Sequence, residues 1–157
     1  MRVGVGYDSH RFEAGRRLVL GGVVIPSELG LAGHSDADAV AHAITDAILG
    51  AAAMGDIGRH FPPTDDRWKD ADSMDLLARA VEIVAGSNYQ VVNADVTVIA
   101  EQPRIGQWAP AMRERIADAI GIGPQHVSVK GKSNEGMGWT GRGEGLAVIA
   151  VVLLDSR

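Results

Sequence analysis

Asp8 and His10 stand two residues apart in a segment, Arg2 to His10, that reads as a β-strand. Alternation along a strand puts both side chains on one face, so a carboxylate and an imidazole are presented together. His42 lies in an alanine-rich segment that reads as a helix over 36–54, with Ser35 or Asp36 as its cap. Asp38, His42 and Asp46 are spaced by four and form a polar stripe with Thr45 beside it, while Ala41, Ile44, Ala47, Ile48 and Ala51 take the other faces. Such a stripe faces either solvent or a polar cavity. Asp8, His10 and His42 together offer one oxygen and two nitrogens, a set that suits Zn²⁺ with a fourth position left open for chemistry. Asp46, one turn beyond His42, is placed to hold the other nitrogen of that ring. On spacing alone an edge-strand polar pair and a solvated helix stripe remain alternatives.

The stretch KGKSNEGMGWTGRGEG, residues 130–145, is the second unusual feature. Glycines let backbone N–H groups approach a ligand closely. Lys132, Ser133 and Arg142 can donate to phosphate oxygens, and Glu135 can hold a hard cation such as Mg²⁺ or Mn²⁺. The glycine spacing is neither that of a P-loop nor that of a dinucleotide fingerprint, and a flexible surface hairpin is the competing reading. Between His34 and Asp72 there are eight acids and three bases, a concentration suited to a cation or a set of hydroxyls. The residues alone therefore point to a metal-assisted enzyme acting on a phosphorylated small molecule.

The elements that must position these groups follow from pattern. Arg17 to Leu20 and Val23 to Ile25 read as a hairpin turning at Gly21-Gly22. Residues 26–33 read as loop and 55–71 as largely irregular. A helix is expected over 73–85, with an exposed Asp75–Arg79 pair and Gly86 as its stop, and another over 105–120, with Trp108, Met112, Ile116 and Ile120 recurring every four residues. Strands are expected over 90–100, 127–130 and 146–154, with 131–145 as loop. The last strand has no polar position, so both of its faces should be covered. Three helices in one layer cover one face of a sheet, which leaves the other to a second copy of the chain. A central strand under loops is the rival explanation.

Composition bounds the rest. A chain of 157 residues with 46% hydrophobic and 22% charged residues is expected to form one domain over 1–157, which excludes global disorder. The absence of cysteine excludes disulfides, iron–sulfur clusters and thiol nucleophiles. A net charge of −5 and 4% aromatics argue against nucleic acid as a partner. No secretory signal is visible, and the longest apolar run, 146–154, is too short to cross a bilayer as a helix, so a cytoplasmic protein with no membrane partner is expected.

GYDSHRF at 6–12, GHSDADAVAHAITDAILGAAAMGDIGRHFP at 33–62 and TGRGEG at 140–145 resemble the 2-C-methyl-D-erythritol 2,4-cyclodiphosphate synthases of the non-mevalonate route to isoprenoids, and the similarity runs from residue 2 to about residue 152. The resemblance implies an α+β fold: a mixed β-sheet with about three helices packed on one face, in a homotrimer whose sheets face the three-fold axis. It implies conversion of 4-diphosphocytidyl-2-C-methyl-D-erythritol 2-phosphate to the cyclic diphosphate and CMP, a phosphorus–oxygen lyase reaction. By position, Asp8, His10 and His42 would bind one Zn²⁺ per subunit, and Glu135 a second divalent ion, Mg²⁺ or Mn²⁺. His34 and the hydroxyl of Ser133 would stabilise the transition state, and the His34-Ser35 segment would receive the 2-phosphate. Asp56, Ile57 and Gly58 would lie against substrate hydroxyls. The stretch 100–106, with Ala100, Arg104, Ile105 and Gly106, would form the cytosine pocket together with Gly131, Lys132 and Ser133, Asn134 and Trp139 would belong to the substrate site, and Arg142 would be its phosphate-site arginine. Active sites in this family lie between subunits, with the zinc ligands on one chain and the cytidine pocket on its neighbour. Many relatives carry lysine at Arg104, threonine at Ser133 and phenylalanine at Trp139, and some carry threonine at Lys132. A zinc phosphohydrolase acting on nucleotides, or a non-catalytic trimer that binds diphosphates or isoprenoids, are the alternative readings.

Overall fold

The computed structural model describes residues 1–68 and 71–157. Among these residues, seven strands and five α-helices follow one another: β1 (Arg2–Ala14), β2 (Leu18–Leu20), β3 (Val23–Ile25), β4 (Leu29–Leu31), α1 (Ala39–Ala51), α2 (Ile57–His60), α3 (Ser73–Ala85), β5 (Tyr89–Ile99), α4 (Ala109–Ile120), β6 (Val127–Lys132), α5 (Gly138–Gly141) and β7 (Gly145–Ser156). The main sheet has the order β4-β1-β7-β5-β6, and only the β5–β6 pair is parallel. The expected mixed sheet and α+β class are therefore present. No helix among the described residues is long and apolar enough to cross a membrane.

All three long helices lie on one face of the sheet. On β7 the inward residues Leu146, Val148, Ala150, Val152 and Leu154 are buried, whereas Ile149 and Val151 between them are exposed. Strand β1 extends the exposed apolar face through Val3, Val5 and Tyr7. Thus β7 is the central strand of its sheet, but the expected cover of loops is not found over it: the side away from the helices is exposed in the single chain.

The packing of α1 on β1 is unusually close. Gly4 and Gly6 face the helix, and a Cβ on either would lie 2.0 Å from the Ala47 carbonyl oxygen or 1.8 Å from that of Ala43. Backbone therefore rests on backbone, and the strand residues that follow on the same face, Asp8 and His10, are brought under His42.

Helix α1 starts three residues later than expected, because Asp38 rather than Ser35 or Asp36 is its cap. Its Oδ1 accepts from the N–H groups of Val40, Ala41 and Gly21, and its Oδ2 accepts from Gly22. Gly21 and Gly22 both have positive φ, as a two-residue hairpin turn requires, and that turn aims its amides at the carboxylate. Asp38 is consequently fully buried and does not belong to the stripe of His42 and Asp46. The helix ends where Ala53 turns left-handed (φ 59°).

Other boundaries shift for local reasons. The expected loop 26–33 contains β4, which continues the sheet by pairing with Phe12 to Ala14 of a longer β1. The expected helix over 105–120 breaks into a 3-10 turn at Ile105–Gln107 and α4, whose first turn accommodates Pro110. Short helices occupy 57–60 and 66–68 of the expected irregular stretch, whose residues 69 and 70 lie outside the described ones. Asp75 and Arg79 do not pair. The Arg79 guanidinium instead lies 5.6 Å from the centre of the Trp68 ring.

Candidate functional site

Strand alternation and the close α1–β1 contact bring Asp8, His10 and His42 together. One ligand atom of each lies within 4.8 Å of the others, and this is the single group of such residues found among the described ones. Asp8 Oδ2 is 2.8 Å from His10 Nε2 and 3.1 Å from His42 Nδ1. The far nitrogens are held elsewhere. His10 Nδ1–H donates to the Ala32 carbonyl at 2.6 Å, and His42 Nε2 is 2.9 Å from Ser73 Oγ. Two nitrogens and one oxygen facing a common point, with their imidazoles oriented from behind, fit a borderline cation such as zinc.

Electrostatics agree with the contacts. Burial opposes ionisation of Asp8, but hydrogen bonds from His10 and His42 hold its carboxyl at about 2. Burial also works against charge on His10, but the Asp8 hydrogen bond and charge prevail and raise it above its ordinary value. The signs differ. A lowered Asp8 contributes stability that is present above 3.8 and lost as pH falls through about 2. A raised His10 contributes stability that is complete below 6.5 and lost as pH rises through its folded value. Metal-free protein is thus expected to unfold at lower denaturant concentration at pH 8 than at pH 6. A cation bound at these nitrogens would compete with the ring protons, so its stabilisation would grow over the same interval. Denaturant midpoints with Zn²⁺ or with a chelator check this, and a His10→Gln variant that keeps the metal-free decline would refute the assignment.

The expected role of Asp46 is not the one observed. Its Oδ1 accepts the Ile57 N–H at 2.7 Å, while Ser73 takes the far nitrogen of His42. Burial, only partly offset by that amide, raises the Asp46 carboxyl, and Asp56 and Asp8 add to the rise. Asp46 therefore ties Asp56, Ile57 and Gly58 to the metal side of α1, with Asp56 capping the short α2 by accepting from Arg59 N–H at 2.9 Å. His34 is exposed on the loop between β4 and α1. Its neighbour Ser35 is half-buried, and the Ser35 carbonyl accepts from Arg16 at 3.0 Å.

A separate cavity of about 560 Å³ is lined by Ala100, Arg104, Ile105, Gly106, Gly131, Lys132, Ser133 and Glu135, all anticipated from the sequence. Glu101, Val98 and Pro103 complete it. Ser133 Oγ–H donates to Glu135 Oε1 at 3.0 Å. Glu101 falls within the expected stretch 100–106, but the role of its carboxylate was not anticipated: Oε1 accepts from the backbone of Asn134 at 2.9 Å and Gly136 at 3.2 Å and so shapes the loop. Gly131 and Lys132 end β6 rather than open a loop. Trp139 and Arg142 lie outside this cavity. Trp139 lines a small cleft with His10, and Arg142 pairs with Glu144 at 2.7 Å beside Phe12 and Pro103.

The metal group and the cavity occupy one row of the sheet. Asp8 is opposite Val148, Val148 opposite Val98, and Val98 opposite Gly131. Three strand spacings separate the ends of that row, about 14 Å. No residue of the metal group lines the cavity.

A mixed sheet carrying an Asp-x-His strand under a helical histidine, with a glycine-rich loop at its far edge, defines the class: the chain belongs to the YgbB family, whose model matches residues 1–155. Among its relatives, the 2-C-methyl-D-erythritol 2,4-cyclodiphosphate synthase of Symbiobacterium thermophilum is 57% identical over 157 residues, which cover 100% of both chains. A solved structure of a synthase of the same name, described as the CDP-bound form, matches with a TM-score of 0.90 at 36% identity, covering 98% of this chain and 100% of that one. The bifunctional IspDF of Campylobacter jejuni matches with a TM-score of 0.96 at 40% identity, covering 99% of this chain and 42% of that one.

Proposed function

We infer that the protein converts 4-diphosphocytidyl-2-C-methyl-D-erythritol 2-phosphate to 2-C-methyl-D-erythritol 2,4-cyclodiphosphate and CMP, and so acts as a lyase of isoprenoid precursor biosynthesis. The observation that carries this reading is the convergence of Asp8 Oδ2, His10 Nε2 and His42 Nδ1 on one point, in a chain that shares its whole length with synthases of that name. Asp8, His10 and His42 would hold Zn²⁺, and Glu135 would hold Mg²⁺ or Mn²⁺, which binds through one carboxylate when substrate phosphates complete its shell. When bound, these ions supply Lewis-acid polarisation and charge neutralisation at the diphosphate.

The chain's own residues do the rest. An oxygen of the 2-phosphate attacks the β-phosphorus. The bond from that phosphorus to the oxygen bridging the α-phosphate breaks, and CMP departs with the bridging oxygen, so no water is consumed. His34 and Ser35 receive the 2-phosphate and fix its approach, which is the larger part of phosphoryl-transfer catalysis. The Ser133 hydroxyl and His34 donate to the charge that builds on phosphate oxygens. Lys132 and Arg104 supply local positive charge in a chain that is net acidic. Asp56, Ile57 and Gly58 meet substrate hydroxyls, and backbone groups of 100–106 and 131–133 hold cytosine.

The same proposal includes a homotrimer. The apolar face of Val3, Val5, Tyr7, Ile149 and Val151 needs a cover, and the two halves of the site lie too far apart along one row to serve a single substrate phosphate. A neighbouring copy closes both gaps. A cytoplasmic location and a free nucleotide substrate belong to this reading.

A ³¹P NMR assay with the cytidyl diphosphate substrate, Zn²⁺ and Mg²⁺ tests it. CMP together with two coupled cyclic diphosphate resonances is expected, whereas CMP with an open-chain diphosphate would mean hydrolysis. Glu135→Gln is expected to raise the Mg²⁺ concentration for half-maximal rate by about tenfold, ~1.4 kcal/mol of lost ion binding. An unchanged Mg²⁺ titration would remove Glu135 from that role.

A further inference from the structure

His42 meets the metal position with one nitrogen and Ser73 with the other. Ser73 is fully buried at the first residue of α3, where Asp72 caps the helix by accepting from Met74 N–H at 2.8 Å. Ser73 is thus not needed as the cap. Its hydroxyl lies instead between His42 Nε2, at 2.9 Å, and the Asp36 carboxylate, on which it makes a short hydrogen bond through Oδ1. The Ser73 N–H donates to the other Asp36 oxygen at 3.2 Å, so carboxylate and serine are locked together at two points. Asp36 is itself fixed, because its Oδ1 also accepts the Asp38 N–H at 3.1 Å.

The direction of this chain is dictated by donor and acceptor inventory. An ionised carboxylate only accepts, so the Ser73 proton points to Asp36. Ser73 Oγ then offers lone pairs alone to the imidazole, and His42 must carry its proton on Nε2. When a cation takes the place of the proton shared with Asp8, the lone pair offered to it is that of Nδ1, which lies 3.1 Å from Asp8 Oδ2 in the metal-free chain. His10 is set the opposite way by the Ala32 carbonyl, which takes Nδ1–H and frees Nε2. Two histidines that reach one point from different backbones need opposite tautomers, and each has its own acceptor to fix it.

We propose that Ser73 and Asp36 are positioning residues for the metal site, forming an Asp36–Ser73–His42 relay that locks His42 in the tautomer whose Nδ1 is free to bind. This rests on the reading of Asp8, His10 and His42 as a zinc site. The relay also reaches the substrate loop, since Ser35 Oγ lies 3.4 Å from Ser73 Oγ and 3.3 Å from His42 Nε2.

Asp36→Asn is the sharpest variant because it keeps the shape. An asparagine has one acceptor oxygen where the carboxylate has two, and the N–H groups of Asp38 and Ser73 face its two sides, so its NH₂ opposes one of them in either orientation. The two-point lock on Ser73 is lost, so its hydroxyl is no longer fixed as a donor to residue 36 and the imidazole proton is no longer held on His42 Nε2. The test measures Zn²⁺ affinity by competition with a chelating dye in the full chain, alongside the His42 Nε2–H signal in ¹⁵N-histidine spectra of the zinc-loaded protein. Ser73→Ala and Asp36→Asn are each expected to weaken Zn²⁺ binding by about 10–100-fold. Ser73→Ala should also lose the slowly exchanging Nε2–H signal, and Ser73→Thr, which keeps the hydroxyl, should restore both. If folded Ser73→Ala and Asp36→Asn bind Zn²⁺ within threefold of the parent, the relay is overturned while the zinc site stands. If the parent itself binds no Zn²⁺, the zinc site falls and the relay with it. Should Ser73→Ala fail to fold, Asp36→Asn decides by the same two readouts.

Discussion

His42→Ala is expected to lose high-affinity Zn²⁺ binding and to lower turnover by about a thousandfold or more, in line with the share of catalysis that a bound Lewis acid supplies. The chain should nevertheless remain folded. His42 is a half-buried residue at the polar edge of α1, whereas the apolar anchors of that helix, Val40, Ile44 and Ile48, are fully buried and untouched. Removing the ring leaves Ser73 and Asp36 still bonded to each other, so no buried donor loses its only partner. The cost in stability of the metal-free protein is therefore about 1 kcal/mol or less. Metal content per chain, turnover by ³¹P NMR and the denaturant midpoint give the three numbers. Full activity in this variant would discard the metal assignment, and a loss of folding would mean that the imidazole holds the structure rather than the ion.

Gly6→Ala is expected to damage the protein more than any core truncation. A Cβ at residue 6 would sit 1.8 Å from the Ala43 carbonyl oxygen and 2.8 Å from the Ala47 nitrogen, both backbone atoms that no rotamer change can move aside. Helix α1 must lift off β1 or the strand must bend, at a cost above about 4 kcal/mol, the range reserved for backbone overpacking and lost networks. That is a large share of the roughly 5–15 kcal/mol that stabilises an ordinary domain, so the folded fraction should fall sharply. Gly50→Ala in the same helix is the control. It faces open space, so the change is expected to stabilise by up to about 1 kcal/mol through helix propensity. Thermal unfolding of both variants checks the contrast. A stable, fully folded Gly6→Ala protein would show that the helix does not rest on the strand backbone.

Much of this was readable from the sequence because it is carried by periodicity or by close spacing. The helix over 73–85 matches its reading to the residue; of its expected apolar face Leu76, Leu77, Ala80 and Val84 are buried and Val81 is partly so, while Met74, outside that face, is buried too. The hairpin at Gly21-Gly22 and the last strand are also where pattern puts them. Asp8 and His10 were legible as a pair because strand alternation acts on neighbouring residues, whereas His42, 34 residues on, was joined to them by its donor chemistry and by the family resemblance. What was hidden depends on contacts between distant segments. Asp38 has the spacing of a stripe residue, and only the arrival of two hairpin amides makes it a cap. Ser73 has the sequence context of any helix start, and nothing local says that a histidine 31 residues earlier lies across from it. Strand β4 is three residues long and exists because β1 continues past His10 to pair with it. Glu101 acts through backbone amides 33 and 35 residues away, which leave no residue signature.

The position of β7 has a consequence for how the molecule is made. It lies between β1 and β5 and pairs with both over nearly its whole length, yet it is the last of the seven strands to be synthesised. Arg2 has to wait for Leu154, and at ribosomal speeds that interval is about 8–30 s. Until then the first strand and the fifth each keep an open hydrogen-bonding edge, and neither can settle against the other without excluding the strand that belongs there. The sheet therefore closes in one late step, by insertion of a nearly all-apolar segment between two waiting edges. Such non-local pairing is intrinsically slow, and the nascent chain is most exposed to misassociation just before that segment emerges.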